Sequence, residues 1–182
     1  DASTESWLPL ASAGAPAARR LHAAVWTGSR MLVFGGLDAR AARSDGARYD
    51  PVGNVWSAMA GGVWAPSTRR SSVTVSTGVE LLVYGGETFD TSGPEWTATG
   101  ALYDSATDSW RPMAPPDPTQ VLPCETAAVW TGTEMIVWGG RDPSGADAVV
   151  DRGGRYDPAL DVWTPVATSG APAARSLHTA SW

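Results

Sequence analysis

Two histidines, one cysteine and a set of recurring carboxylates carry the potential chemistry of this 182-residue chain. His22 and His178 would serve a metal or a general base, but a metal site needs further ligands converging on them. No zinc-type histidine pair, nucleophile elbow of the Gly-x-Ser-x-Gly type or calcium loop is present. Asp142, Asp147 and Asp151 share one stretch, at a spacing that matches no standard calcium site. Asp50, Asp104 and Asp157 each follow a tyrosine, a pairing that suits acid–base catalysis. They recur at steps of 54 and 53 residues, however, and one reaction does not need its acid three times. The pattern predicts turn-capping aspartates instead. Asn54, Asp108 and Asp161, four residues on, read the same way. Cys124 stands alone, which excludes an intrachain disulfide and a cysteine-based metal site.

The recurrence extends well beyond the aspartates. A double glycine ends an apolar run at Gly35-Gly36, Gly85-Gly86 and Gly139-Gly140. Each is preceded by a Thr-Gly turn (Thr27-Gly28, Thr77-Gly78, Thr131-Gly132) and followed by the Tyr-Asp pair. A tryptophan comes six residues after each aspartate, at Trp56, Trp110 and Trp163, and Trp7 starts the series. Residues 171–175, His178 and Trp182 repeat residues 15–19, His22 and Trp26. Each unit reads as four short strands, A to D. Strand A covers residues 22–26, with equivalents starting at Ser72, Thr126 and His178. A short turn leads to strand B at residues 31–34, a hairpin pattern. Strand C ends in Tyr-Asp, and strand D carries the tryptophan. No helix follows the double glycines to present its N-terminus to a phosphate, so they read as close-approach or positive-φ positions.

Four strands in a period of about 50 residues are the signature of a β-propeller. The double glycines, Tyr-Asp pairs and spaced tryptophans together resemble the kelch family over nearly the whole chain. The second unit departs most, with Ser72 and Ser76 in place of the histidine and tryptophan of strand A. The expected fold is therefore all-β, with three four-stranded blades at roughly 20–59, 70–113 and 124–166 and partial blades at 1–10 and 175–182. At about 53 residues per repeat, the chain holds about 3.4 blades, short of the four to eight of a closed ring. The reading favours an arc of a larger ring, of six or seven blades, over closure by a second copy. Asp1 opens no signal peptide. Either a leader has been removed or the chain is part of a longer product.

Eight of the ten tryptophans occupy repeat positions and read as packing between stacked blades. Trp64 and Trp96 do not. Strand alternation sends the short A–B and C–D turns to one face and the long, variable B–C and D–A loops to the other. The B–C loops are residues 37–46, 87–100 and 141–153, and the D–A loops include 61–69 and 112–123. Trp64 and Trp96 both fall on the variable face, with Arg69, Arg70 and Arg141 as expected neighbours. Tryptophan and arginine are what a protein-binding hot spot favours, and an indole also stacks on a sugar ring.

Composition bounds the partners. Net charge is −6 from 13 basic and 19 acidic residues, and every basic residue is arginine. No basic run exceeds a pair, so a phosphate-tracking surface for nucleic acid is not expected. Gly (20) and Pro (14) make up about 19% of the chain, a turn-rich but folded composition. No apolar stretch is long enough to span a membrane. The resemblance implies a protein-binding scaffold without a cofactor, because kelch propellers in general bind proteins. Two alternatives stay open: a carbohydrate-binding module, and part of a kelch-type oxidase or sugar isomerase whose active groups lie elsewhere. Copper-dependent kelch oxidases cross-link a cysteine placed like Cys124 to a tyrosine that starts the next strand A. Here His178 holds that place, and the cross-link has no partner. The repeats also resemble those of exported bacterial proteins, an expectation of a periplasmic or secreted location.

Overall fold

The computed structural model describes residues 6–90, 93–117, 125–142 and 148–182. Among them every regular element is a strand. β1 (Ala23–Trp26), β2 (Met31–Phe34), β3 (Gly46–Asp50) and β4 (Val55–Ala58) form one antiparallel sheet. β6 (Val73–Ser76), β7 (Glu80–Tyr84), β10 (Gly100–Asp104) and β11 (Ser109–Pro112) form the second. β12 (Ala127–Trp130), β13 (Met135–Trp138), β14 (Gly153–Asp157) and β15 (Val162–Pro165) form the third. Each sheet runs in chain order from strand A to strand D, the arrangement of a propeller blade. Strands A approach one another most closely between sheets, β1 to β6 and β6 to β12, so they line the inner side of the arc. The arc does not close into a ring within this chain.

Blade faces explain the apolar runs. β7 reads Glu-Leu-Leu-Val-Tyr, and all four apolar residues are buried. Leu81 and Val83 point into one core with Leu32 and Phe34 of the first blade. Leu82 and Tyr84 point the other way, into a second core with Met135, Val137 and Tyr156 of the third. A strand covered on both faces needs apolar residues at every position rather than at alternate ones. In β13 the alternation returns, because Met135 and Val137 are fully buried while Ile136 and Trp138 stay half-exposed on the face with no following sheet.

One arrangement joins each blade to the one before it. The D-strand indoles donate from Nε1 to a backbone carbonyl of the preceding loop: Trp56 to Ala11, Trp110 to Ala60 and Trp163 to Ala114, each at 2.9 Å. The amide of the same alanine donates 2.8 Å to a side-chain oxygen two residues before the tryptophan, on Asn54, Asp108 and Asp161 respectively. Those three residues adopt left-handed φ of 50°, 53° and 55°, which asparagine and aspartate tolerate better than most. The blade's own tyrosine hydroxyl (Tyr49, Tyr103, Tyr156) donates to the same oxygen. The indole also packs on the aromatic that ends strand B of the preceding blade. Phe34 lies 4.9 Å from Trp110, and Tyr84 lies 4.8 Å from Trp163. The expected turn-capping role belongs to Asp50, Asp104 and Asp157, whose Oδ1 accepts the amide two residues on at 2.9, 2.7 and 2.8 Å. The residues four further on do something else: they hold the neighbouring blade.

Three sequence expectations meet a different structure. The stretch around Trp7 forms no strand, and neither do residues 178–182. A strand needs a hydrogen-bonded neighbour, and no C strand lies beside the first or B strand beside the second. The second B–C connection, expected as a loop, is largely a hairpin. β8 (Glu87–Asp90) and β9 (Gly93–Trp96) pair with the short β5 (Arg69–Arg70) in a separate three-stranded sheet.

Burial works against the Asp108 carboxylate, but the Tyr103 hydroxyl, the Ala60 amide and Arg48 outweigh it and hold its pKa below the usual range. The Tyr156 hydroxyl does the same for Asp161. A depressed carboxylate contributes stability that is complete above about pH 4 and lost as pH falls through the lowered pKa. Below that point, amide exchange at Ala60 and Ala114 should accelerate while Ala11, held by the non-titrating Asn54, keeps its protection. Equal acceleration at all three would show that the carboxylates do not set the joint. Trp110→Phe keeps an aromatic ring but removes the donor, and should cost about 1–2 kcal/mol in denaturant unfolding.

Candidate interaction site

The variable face begins at the double glycines. Both members of each pair take left-handed φ, for example 67° and 95° at Gly85 and Gly86, which turns the chain sharply out of strand B. A Cβ on Gly86 would stand 2.7 Å from the carbonyl oxygen of Arg70, so the incoming D–A chain passes hard against the outgoing B–C chain. Both histidines belong to this crossing. The Cβ of His22 lies 2.8 Å from the place a side chain on Gly36 would take, and the His178 ring covers Gly139 in the same way.

Arg69 locks the crossing. Its Nη1 donates to the carbonyls of Gly85 (3.0 Å) and Thr99 (3.1 Å), its Nε to Ser67, and its Nη2 to the hydroxyls of Ser67 and Thr99. The residue is 2% exposed. Burial lowers its pKa to about 10, far enough above neutrality to leave it a cation at pH 7. Arg19 repeats the arrangement on Gly35 (3.1 Å) and Asp45 (3.2 Å). The expectation that Arg69 faces a partner is therefore corrected: its donors are turned inward to the two feet of a loop. The signal was present in the sequence, since Arg19 and Arg69 each stand 16 residues before the first glycine of the pair.

Arg70 and Trp96 share one cross-strand row, with Glu87 between them. In the three-stranded sheet Arg70 pairs with Glu87, and Glu87 with Trp96, which sets the three side chains in one row across one face. Arg70 and Glu87 form an ion pair. Arg69, Thr88 and Glu95 make the opposite row. β9 is the free edge of this sheet. The bond from the Thr97 amide to the Gly86 carbonyl sets the alternation so that the nitrogen of Pro94 faces outward. Proline has no hydrogen to offer there, so the edge is blunted against strand addition. Recognition at this hairpin falls to side chains.

Trp64 stands in the D–A loop and is 55% exposed. No ring contact joins it to Trp96 among the described residues. Arg141 lies on the third blade, 2.9 Å from Glu125. That pair mirrors Arg70–Glu87 with the charges exchanged between the two chains of the crossing. On the first blade, the bond from Arg43 and the proximity of Arg19 hold the Asp45 carboxylate well below the usual range. Asp142 pairs with Arg152 at 2.8 Å. Cys124 and Asp147 lie outside the described residues. Among the described residues no group of three histidine, cysteine, aspartate or glutamate side chains is placed to hold a metal.

A lysine at position 69 would keep the charge but has no planar fork to serve three carbonyls and two hydroxyls. Arg69→Lys should therefore destabilise the chain by about 2 kcal/mol or more, with exchange rising first at Gly85 and Thr97. Wild-type stability in this variant would return Arg69 to the list of surface candidates.

Comparison with curated proteins returns no match. A family profile described as the KLHDC2/KLHL20/DRC7 Kelch-repeats domain matches residues 1–182. That match spans the three blades, the joints between them and the arginine-locked crossings, and the chain belongs to the kelch-repeat family.

Proposed function

We propose that this chain is a protein-interaction module that engages its partner through the B–C and D–A face, with Trp64 and Trp96 as the contact residues and Arg70 in the same cross-strand row as Trp96. Kelch-repeat domains generally mediate protein–protein interaction. The observation that carries the finer reading is the separate three-stranded sheet of the second blade, which has no counterpart among the described residues of the other blades. It carries a half-exposed indole and an arginine–glutamate pair, while the adjoining D–A loop exposes a second indole. Tryptophan and arginine dominate protein-binding hot spots because the indole buries large area with few rotatable bonds and the guanidinium offers a planar fork of donors. The C–D turns on the opposite face are alike in all three blades and expose Val52 and Leu160.

Photo-crosslinking residues placed at 64, 96, 52 and 160 separate the two faces. In extract of the source cells, specific protein adducts are expected at 64 and 96. Adducts confined to 52 and 160 would reverse the assignment. Trp64→Ala with Trp96→Ala should leave stability within about 0.5 kcal/mol and weaken the captured partner about tenfold or more. Binding to a glycan array that depends on Trp96, with no protein adduct at either tryptophan, would replace the protein partner with a carbohydrate.

A further inference from the structure

The variable loops of the first two blades share one clamp. The main chain of Arg69 closes the foot of the first loop: its amide donates to the Arg43 carbonyl at 3.1 Å, and its carbonyl accepts the Gly36 amide at 2.9 Å. The guanidinium of the same residue closes the foot of the second, on the carbonyls of Gly85 and Thr99. One buried residue thus ties residues 37–46 to residues 87–96. The chain that enters the clamp is specialised too. A four-residue turn is closed by the Ala15 amide on Ser12, by Ala65 on Gly62 and by Ala171 on Thr168. Its third residue is Gly14 in the first case and Gly170 in the last, with left-handed φ of 76° and 77°. The second D–A loop is one residue longer here, five steps from Ala60 to Ala65 against four from Ala11 to Ala15. Trp64 takes the glycine's place without a left-handed φ, and Val63 and Trp64 are 90% and 55% exposed. Residues 37–46 add a charge. The Asp38 carboxylate accepts the amides of Arg40 at 2.7 Å and Ala41 at 2.8 Å, which caps a turn and sets Arg40 on it. Asp38 and Asp45 are both paired with Arg43, and Asp45 with Arg19 as well. Arg40 is exposed, and of the charged residues in this segment it alone has a side chain without a partner among the described residues.

We propose that residues 37–46, residues 87–96 and Trp64 act as one contact surface, and that it takes a partner segment with an aspartate or glutamate beside an apolar side chain. The carboxylate pairs with Arg40, and the apolar side chain covers the indoles of Trp64 and Trp96. This inference rests on the B–C and D–A face being the interacting one, and adds the chemistry of what that face holds. Charge selects the occupant. The neighbours of Arg40 neutralise one another, and the row of Trp96 holds only the closed Arg70–Glu87 pair. The exposed carboxylate of Glu95 belongs to the opposite row, with Arg69 and Thr88. An acidic segment therefore gains a charge-assisted fork at Arg40, whereas a basic one meets an unanswered cation. The clamp lowers the cost of binding, because two loops that are already tied together need not be ordered separately.

The clamp is tested on the full chain alone. In Arg69→Lys the Gly36 amide should exchange about fivefold faster or more, together with Gly85, although it touches only the main chain of residue 69, while the Ala60 amide keeps its protection. Faster exchange confined to Gly85 and Thr97 would make the two loops independent and overturn the single surface. If Arg69→Lys does not fold, Thr99→Val removes one hydroxyl from the clamp and gives the same comparison. The chemistry is tested with immobilised short peptides that share a Leu-Gly-Leu core and carry flanks of glutamate, glutamine or arginine, probed with the full chain. Glutamate flanks should bind about tenfold tighter than glutamine flanks. Arg40→Glu should move the preference to arginine flanks, and Glu95→Gln should leave the ranking as it is. No binding, no preference among the flanks, or a preference that Arg40→Glu leaves in place overturns the acidic partner. Protein adducts at 64 and 96 without any such preference would refute this inference alone, whereas adducts confined to 52 and 160 would refute the face on which it rests.

Discussion

The architecture rests on one backbone alanine held from both sides. Each blade reaches back with an indole N–H and an Asx oxygen and takes the carbonyl and the amide of a single residue in the loop before it. Apolar packing alone is non-directional and would let two blade faces slide. Two hydrogen bonds to one residue remove that freedom, because they fix register and tilt together. The buried tyrosine hydroxyl supports the Asx oxygen from behind. Burial pushes the phenols of Tyr103 and Tyr156 well above their ordinary pKa, with the bonded aspartate adding to the effect, so they remain donors across the physiological range.

Since every joint is of this kind, the structure is a series of nearest-neighbour contacts. The first core is shared by blades one and two, the second by blades two and three. In such an arrangement stability accumulates interface by interface, as in other repeat proteins. The middle blade is the best covered, and its B strand is accordingly the most fully buried.

Much of this was legible in the residues. Blade number, strand order and the packing role of Trp56, Trp110 and Trp163 follow from repeated motifs, because a repeat exposes which positions the fold needs; Trp7 and Trp182, read as packing on the same ground, are exposed instead. The second half of each joint was not legible. Asn54, Asp108 and Asp161 look like ordinary turn residues, and their bond to a neighbouring blade appears only when two blades are stacked. Arg69 was misread for the opposite reason. An arginine in a loop reads as solvent-exposed, and nothing in its own neighbourhood announces that five backbone and hydroxyl oxygens await it. Comparison with Arg19 was the available clue. The hairpin of residues 87–96 escaped notice because its strands are short and one contains a proline, which argues against a strand except at an outward-facing edge.

The arginine lock has an evolutionary consequence. Arg19 and Arg69 grip a loop mainly by main-chain carbonyls at its two feet, groups that every amino acid possesses. What lies between the feet is then released from any duty to hold the blade together. The first blade fills that span with an aspartate–arginine network and the second with a separate sheet, on the same foundation. A scaffold so rooted can exchange its variable segments wholesale, by insertion or transplantation between sectors, and acquire new specificities without renegotiating its folding.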